Sequence, residues 1–235
     1  MLIYTLVRSN RKTAAIYIRN GEVEVRAPLR MAKWEIECFM LSKEKWILST
    51  LSKQRAHAEK KASFVVDYGS VISLFGEPYV IAPGSVISRS TIVPHEEASM
   101  GFDDRSLYLP SGLSPKHVKA HCIKAYKDIA KTHITSCVDF YAAKMGVTPS
   151  AVKINSAKTR WGSCSYKKSL NFSWRLVMAE EDVIDYVVVH ELAHLVEMNH
   201  SARFWAVVAG VLPDYKGRIA QLKLLQKKLA GEDWD

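Results

Sequence analysis

The sequence predicts an α+β protein, β-rich as far as about residue 108 and α-rich beyond it. Three observations carry that class. The first thirty residues alternate around Asn20-Gly21, a dipeptide suited to a two-residue hairpin turn. Between Phe64 and Tyr108, short apolar runs are separated by Gly69, Gly76, Pro78, Pro83 and Gly84, the punctuation of strands and turns. After Ser114-Pro115 the pattern becomes helical, with Pro at a first helical position.

In chain order, LIYTLV and the two arms of AAIYIRNGEVEVRAP read as strands. From Met31 to about Lys60 the period lengthens. Trp34, Phe39, Leu41, Trp46, Ile47 and Leu48 then mark one amphipathic helix with Lys and Glu outside. FVVDYG, SVISLFG, PYVIAP and SLYLP give two to four further strands. A long helix runs from Pro115 to about Met145, where Gly146 stops it. AVKIN and Leu170 to Met178 read as strands flanking KTRWGSCSYKK. Ala179-Glu180-Glu181-Asp182 puts acids where a helix dipole favours them. SARFWAVVAGVLP and DYKGRIAQLKLLQKKLAG complete the chain as helices. The expected domains are therefore 1–108, β-rich with one helix, and 109–235.

Composition excludes several classes. Hydrophobic residues make up 48% of the 235 and charged ones 24%, as in globular proteins able to bury a core without staples. No apolar run approaches the ~20 residues of a membrane span. The start MLIYTLVRSNRK lacks a basic leader, so a cytoplasmic, reducing compartment is the default expectation. Cys38, Cys122, Cys137 and Cys164 form no CxxC pair, which argues against a cysteine metal site or a disulfide framework. The net charge of +9 suits an anionic partner such as nucleic acid or a nucleotide. The positive residues are spread along the chain, however, and read chiefly as solvated helix faces.

The chemistry concentrates in VVVHELAHLVEMNH, Val187 to His200. His190 and His194 are four apart, so on a helix they share one face and can grip one ion. Glu191 projects about 100° around the helix from His190. It is poorly placed as a ligand of that pair and well placed to take a proton from water. HExxH on a helix is a zinc-hydrolase signature for this reason. A catalytic zinc takes three protein ligands. His200 serves as the third if the chain turns back after about Glu197, through a left-handed Asn199. Glu197 is the second candidate; otherwise it is placed to accept the N–H of a ligand histidine. Burying three histidines and a glutamate unpartnered costs on the order of several kcal/mol, which a metal offsets.

Two neighbouring segments add candidates. Leu170 to Trp174 lies just upstream of the motif helix. A strand beside a zinc peptidase site can pair with extended substrate, which makes Asn171 and Trp174 candidates for substrate contact. An ordinary alternating strand is the alternative. Arg160 is a candidate to stabilise an oxyanion or hold phosphate, or else to anchor its own loop. His117 and His121 are also four apart, but without an adjacent acid they read as surface residues.

RWGSCS, LNFSWRLVMA and DYVVVHELAHLVEMNHSARFW together closely resemble the YgjP-like family of bacterial metal-dependent hydrolases, related to SprT-like zinc peptidases. The N-terminal VRSNRKTAAIYIRNGEVEVRAP is similar to that family as well. The resemblance implies a zincin-like catalytic domain behind a β-rich N-terminal domain. It carries the zinc ligands onto His190, His194 and His200 and the general base onto Glu191. The chain departs from metzincins in having Glu197 where they have Gly, with no downstream Met-turn. It also offers no clear downstream Glu of the gluzincin kind.

The expected function is a zinc-dependent hydrolase of peptide bonds, with another divalent ion as a variant and a peptide or protein as substrate. A nucleoside triphosphate pyrophosphatase is the first alternative. A nucleic-acid-binding module with a structural metal is the second.

Overall fold

A computed structural model describes residues 2–84, 101–103 and 105–234. The chain forms two compact units. The first runs to Phe64 and takes in Ala230–Asp233; the second runs from Val65 to Leu229 and takes in Trp234.

In the first unit, β1 (Thr5–Ser9), β2 (Ala15–Arg19) and β3 (Glu22–Pro28) form a sheet of order β1-β3-β2. The β2–β3 hairpin turns on Asn20 and Gly21, with φ of 51° and 80°, the left-handed pair that a type I′ turn demands. Val23, Val25 and Ala27 alternate inward from β3 onto Ile36, Met40 and Ile47. The expected single helix is two. α1 (Lys33–Ser42) and α2 (Glu44–Ala62) are divided at Lys43, whose φ of −109° and ψ of 4° are not helical. The Glu35 carboxylate accepts from the Ala32 N–H at 2.7 Å and so caps α1.

In the second unit, β4 (Val71–Leu74), β5 (Glu77–Pro83), β6 (Gly101–Phe102) and β7 (Ser106–Leu109) form a sheet of order β4-β5-β7-β6. The division expected near residue 108 falls inside this unit. The β4 end of the sheet is bonded to later chain. Phe75 N–H donates to the Val177 carbonyl at 2.7 Å, and the Tyr126 hydroxyl to the Ser73 carbonyl at 2.7 Å.

α3 (Pro115–Met145) begins at Ser114 and ends at Gly146, whose φ of 65° gives the left-handed stop. β8 (Ala151–Asn155), β9 (Gly162–Cys164) and β10 (Ser169–Ser173) make a second sheet of order β8-β10-β9. The strand expected over Leu170 to Met178 stops at Ser173, and Trp174–Met178 is a 3₁₀ turn buried at every position. Three helices follow: α4 (Glu181–Ala193), α5 (Ala202–Val211) and α6 (Tyr215–Ala230).

α4 is held from several directions. The Tyr141 hydroxyl on α3 donates to the Asp185 carboxylate at 2.8 Å. From α6, Arg218 donates to the Asp182 carbonyl at 2.8 Å and Gln221 to the Glu180 carboxylate at 2.9 Å. Val183, Ile184, Val187, Val188, Val189 and Leu192 are all buried. A helix apolar nearly all round belongs in a core. Among the described residues, no helix is long and apolar enough to cross a membrane.

Candidate metal centre

α4 starts with Glu181 and Asp182 in its first turn and carries His190 and Glu191 in its last. His194 is its C-terminal cap. The chain then tightens: Leu195 N–H donates to the Leu192 carbonyl at 2.9 Å, and both Val196 and Glu197 donate to the Ala193 carbonyl at 3.0 and 2.9 Å. It turns back as expected, but not through a left-handed asparagine, since Asn199 is not among the residues of positive φ. Instead the Ser201 N–H donates to Asn199, to its carbonyl at 2.8 Å and its side-chain oxygen at 3.1 Å. Ser201 then caps α5. That local bonding makes the bend without backbone strain.

The bend returns His200 to the helix. His200 Nε2 lies 3.1 Å from His190 Nε2, and one ring nitrogen from each of His190, His194 and His200 lies within 4.8 Å of the others. Among the described residues, no other group of three His, Cys, Asp or Glu side chains converges in this way. Zinc–nitrogen bonds of about 2.0–2.1 Å in a tetrahedron put ligand nitrogens about 3.3 Å apart. The donor set fits one divalent cation and leaves an open position.

Burial, reinforced by His194 and His200, pushes the His190 pKa down to about 3. Burial also lowers that of His194. Both shifts favour the neutral imidazole, the form that ligates metal. His194 Nδ1 lies 3.3 Å from the Glu197 carbonyl, and His190 Nδ1 lies 3.4 Å from the Tyr186 hydroxyl. A carbonyl oxygen only accepts, so His194 Nδ1 carries the proton in that contact. Phe204, fully buried on α5, packs on all three imidazoles with ring centroids 4.6–4.9 Å away. Trp205 lies 5.9 Å from both His190 and His200.

Glu191 is buried, 5% exposed, and that burial raises its pKa to about 7. Gly162 of β9 stands directly against it: a Cβ there would fall 2.6 Å from the Glu191 Cγ and Oε1. The carboxylate thus sits in a tight, buried slot between α4 and β9.

A family model described as YgjP-like, metallopeptidase domain, matches residues 12–224. The chain belongs to the YgjP-like family. Its α+β fold is that of a zincin-like metallopeptidase domain. No curated protein matches this YgjP-like chain. It is similar in part to two solved structures. The metallopeptidase zymogen of Pyrococcus abyssi abylysin is 23% identical, with a TM-score of 0.36, over 40% of this chain and 93% of that one. The metallopeptidase zymogen of Methanocaldococcus jannaschii jannalysin is 24% identical, with a TM-score of 0.35, over 40% of this chain and 95% of that one.

Other candidate residues of the YgjP-like chain fall differently. The Glu197 carboxylate points to Arg203, 3.9 Å away, while its carbonyl meets His194. Its contact with His194 is therefore made through the main chain. Trp174 cannot contact substrate, because it is 1% exposed, stacked on Tyr126 at 5.4 Å and edge-on to Trp234 at 6.1 Å. Asn171 is half-buried in β10, between Lys153 and Ser163. β10 is bonded on both sides, so the edge strand of this sheet nearest α4 is β9, with no strand on its outer side among the described residues. Arg160 is exposed, and no described contact ties it to the histidines. Burial, then the nearby Glu191, raises the Cys164 pKa, the opposite of an activated thiolate. Tyr186, Phe204 and Trp205 were not singled out in the sequence. The one available signal for Tyr186 is its place four residues before His190.

The buried carboxylate has a consequence for metal-free protein. Its folded pKa of about 7 lies above the ordinary 4.5. Stability from the protonated form is full below pH 4.5 and is lost as pH rises through 7. Glu191→Gln removes that dependence. Between pH 4.5 and 7.5, wild-type apoprotein is expected to lose about 3 kcal/mol relative to the variant. Denaturant midpoints of both proteins across that range measure it; a pH-independent difference contradicts it.

Proposed function

We propose that the chain is a zinc-dependent peptidase in which His190, His194 and His200 hold the cation and Glu191 is the general base. The convergence of one ring nitrogen from each of three imidazoles, with the buried Glu191 carboxylate on the same helix turn as His190, carries this reading. The cation, when bound, supplies Lewis acidity and lowers the pKa of water to about 7. Glu191 accepts the proton of the attacking water and delivers it to the leaving amine nitrogen. Tyr186 and the Glu197 carbonyl fix the rings of His190 and His194, and Phe204 excludes water beneath them. An extended polypeptide lies along the open edge of β9, bonding to the main chain of Gly162–Cys164. This reassigns the substrate strand expected at Leu170–Trp174.

The exposed, uncoupled position of Arg160 gives the nucleotide reading no support. Digestion of a mixed peptide library by zinc-loaded protein, with new amino termini identified by mass spectrometry, tests the proposal. Cleavage by the loaded protein and none after chelation is expected. Pyrophosphate release from nucleoside triphosphates, without any peptide cleavage, contradicts it.

A further inference from the structure

Gly162 raises the question of why a strand contains a glycine. Glycine weakens a strand and is kept where a turn or a close approach needs it. No turn needs it here, because Gly162 is not among the glycines of positive φ. Gly210 and Gly217, also of ordinary φ, face open space, and Gly231 meets only the flexible chain of Lys60. Gly162 meets a buried carboxyl group: an added Cβ would lie 2.6 Å from Cγ, 2.6 Å from Oε1 and 2.8 Å from Cδ of Glu191. Carbon atoms do not approach so closely, so a side chain at 162 forces the carboxylate aside by about 1 Å.

Register explains how this wall is built. Gly162 pairs with Phe172 and Cys164 with Leu170, both buried, so Gly162 and Cys164 share the inward face of β9. Ser163 pairs with Asn171 and takes the other face. The strand whose outer edge has no strand partner among the described residues therefore presses its one missing side chain on Glu191.

We infer that Gly162 is a positioning residue, whose lack of a side chain fixes where the Glu191 carboxylate stands. The inference rests on Glu191 being the general base. Because Gly162 belongs to the open-edged strand, any polypeptide paired there is placed in register with the proton acceptor. The histidines do not depend on this contact, so displacing the carboxylate spares the metal.

The test is Gly162→Ala in zinc-loaded protein, alone and combined with Glu191→Ala. Gly162→Ala is expected to keep its zinc and its KM and to lose about 10²-fold in kcat, the cost of a misplacement of about 1 Å. It is also expected to lower Tm by about 5 °C. In the Glu191→Ala background the same change is expected to leave Tm unaltered, because nothing remains to collide with. Gly217→Ala, in open space, is the control and is expected to leave kcat unaltered. If Gly162→Ala alone does not fold, recovery of folding in the double variant supports the contact, and failure of the double variant overturns it. An equal Tm loss in both backgrounds overturns the inference. So does a wild-type kcat in Gly162→Ala. A wild type that binds zinc and cleaves no peptide instead overturns the reading of Glu191 itself.

Discussion

Replacing Glu191 with Gln is expected to preserve metal binding and to lower kcat by about 10²–10⁴-fold, the range a positioned general base supplies. The substitution keeps the shape of the side chain, so the slot against Gly162 is still filled. It removes only the capacity to take a proton. Burial already holds the Glu191 pKa near 7, so a neutral amide is no harder to bury and the fold should not suffer. The imidazoles of His190, His194 and His200 are untouched. Steady-state kinetics on a cleaved peptide, with zinc measured by elemental analysis on the same sample, check it. Full turnover in a zinc-loaded variant removes Glu191 from the proton path. Loss of zinc makes it part of the donor set.

The second large effect is expected at His200. This ring comes from the bend after α4, yet its Nε2 stands 3.1 Å from that of His190. His200→Ala leaves two imidazoles and a wider opening. A structural zinc site contributes about 10–16 kcal/mol over its ligands, so one ligand is worth about 3–4 kcal/mol, or two to three decades of affinity. Competition titration with a fluorescent zinc chelator reads that loss. Glu197→Gln separates the two candidates for third ligand. Its carboxylate faces Arg203, so zinc affinity is expected to stay within about threefold. A large loss at Glu197 with little at His200 reverses the assignment.

Local chemistry was legible in the sequence, and long-range packing was not. Asn20-Gly21 specifies its turn whatever surrounds it, and the hairpin is there. Ser114-Pro115 and Gly146 bracket α3 because caps are decided within a few residues. His190 and His194 meet because helix geometry alone brings them together. The return of His200 was expected, but its means was not. Asn199 acts by accepting from the Ser201 N–H, a choice that follows from the start of α5.

Where several structures suit one pattern, the reading diverged. WRLVM is apolar and suits a strand, yet it packs as a 3₁₀ turn whose five residues are all buried. Periodicity cannot separate such runs. Trp174 was placed on a strand facing the site for the same reason, and its stack on Tyr126 puts it in the core. The non-helical Lys43 interrupts one apolar pattern without changing it. Gly162 shows its purpose only beside Glu191, twenty-nine positions away in the sequence.

Anomalous diffraction at the zinc edge, from crystals loaded with one equivalent of zinc, is the most direct measurement. The account predicts one peak within about 2.0–2.1 Å of a nitrogen of His190, His194 and His200. It also predicts that Glu191 stays outside bonding distance, with no fourth protein ligand. A peak that excludes His200, or a site closed by a fourth side chain, contradicts it.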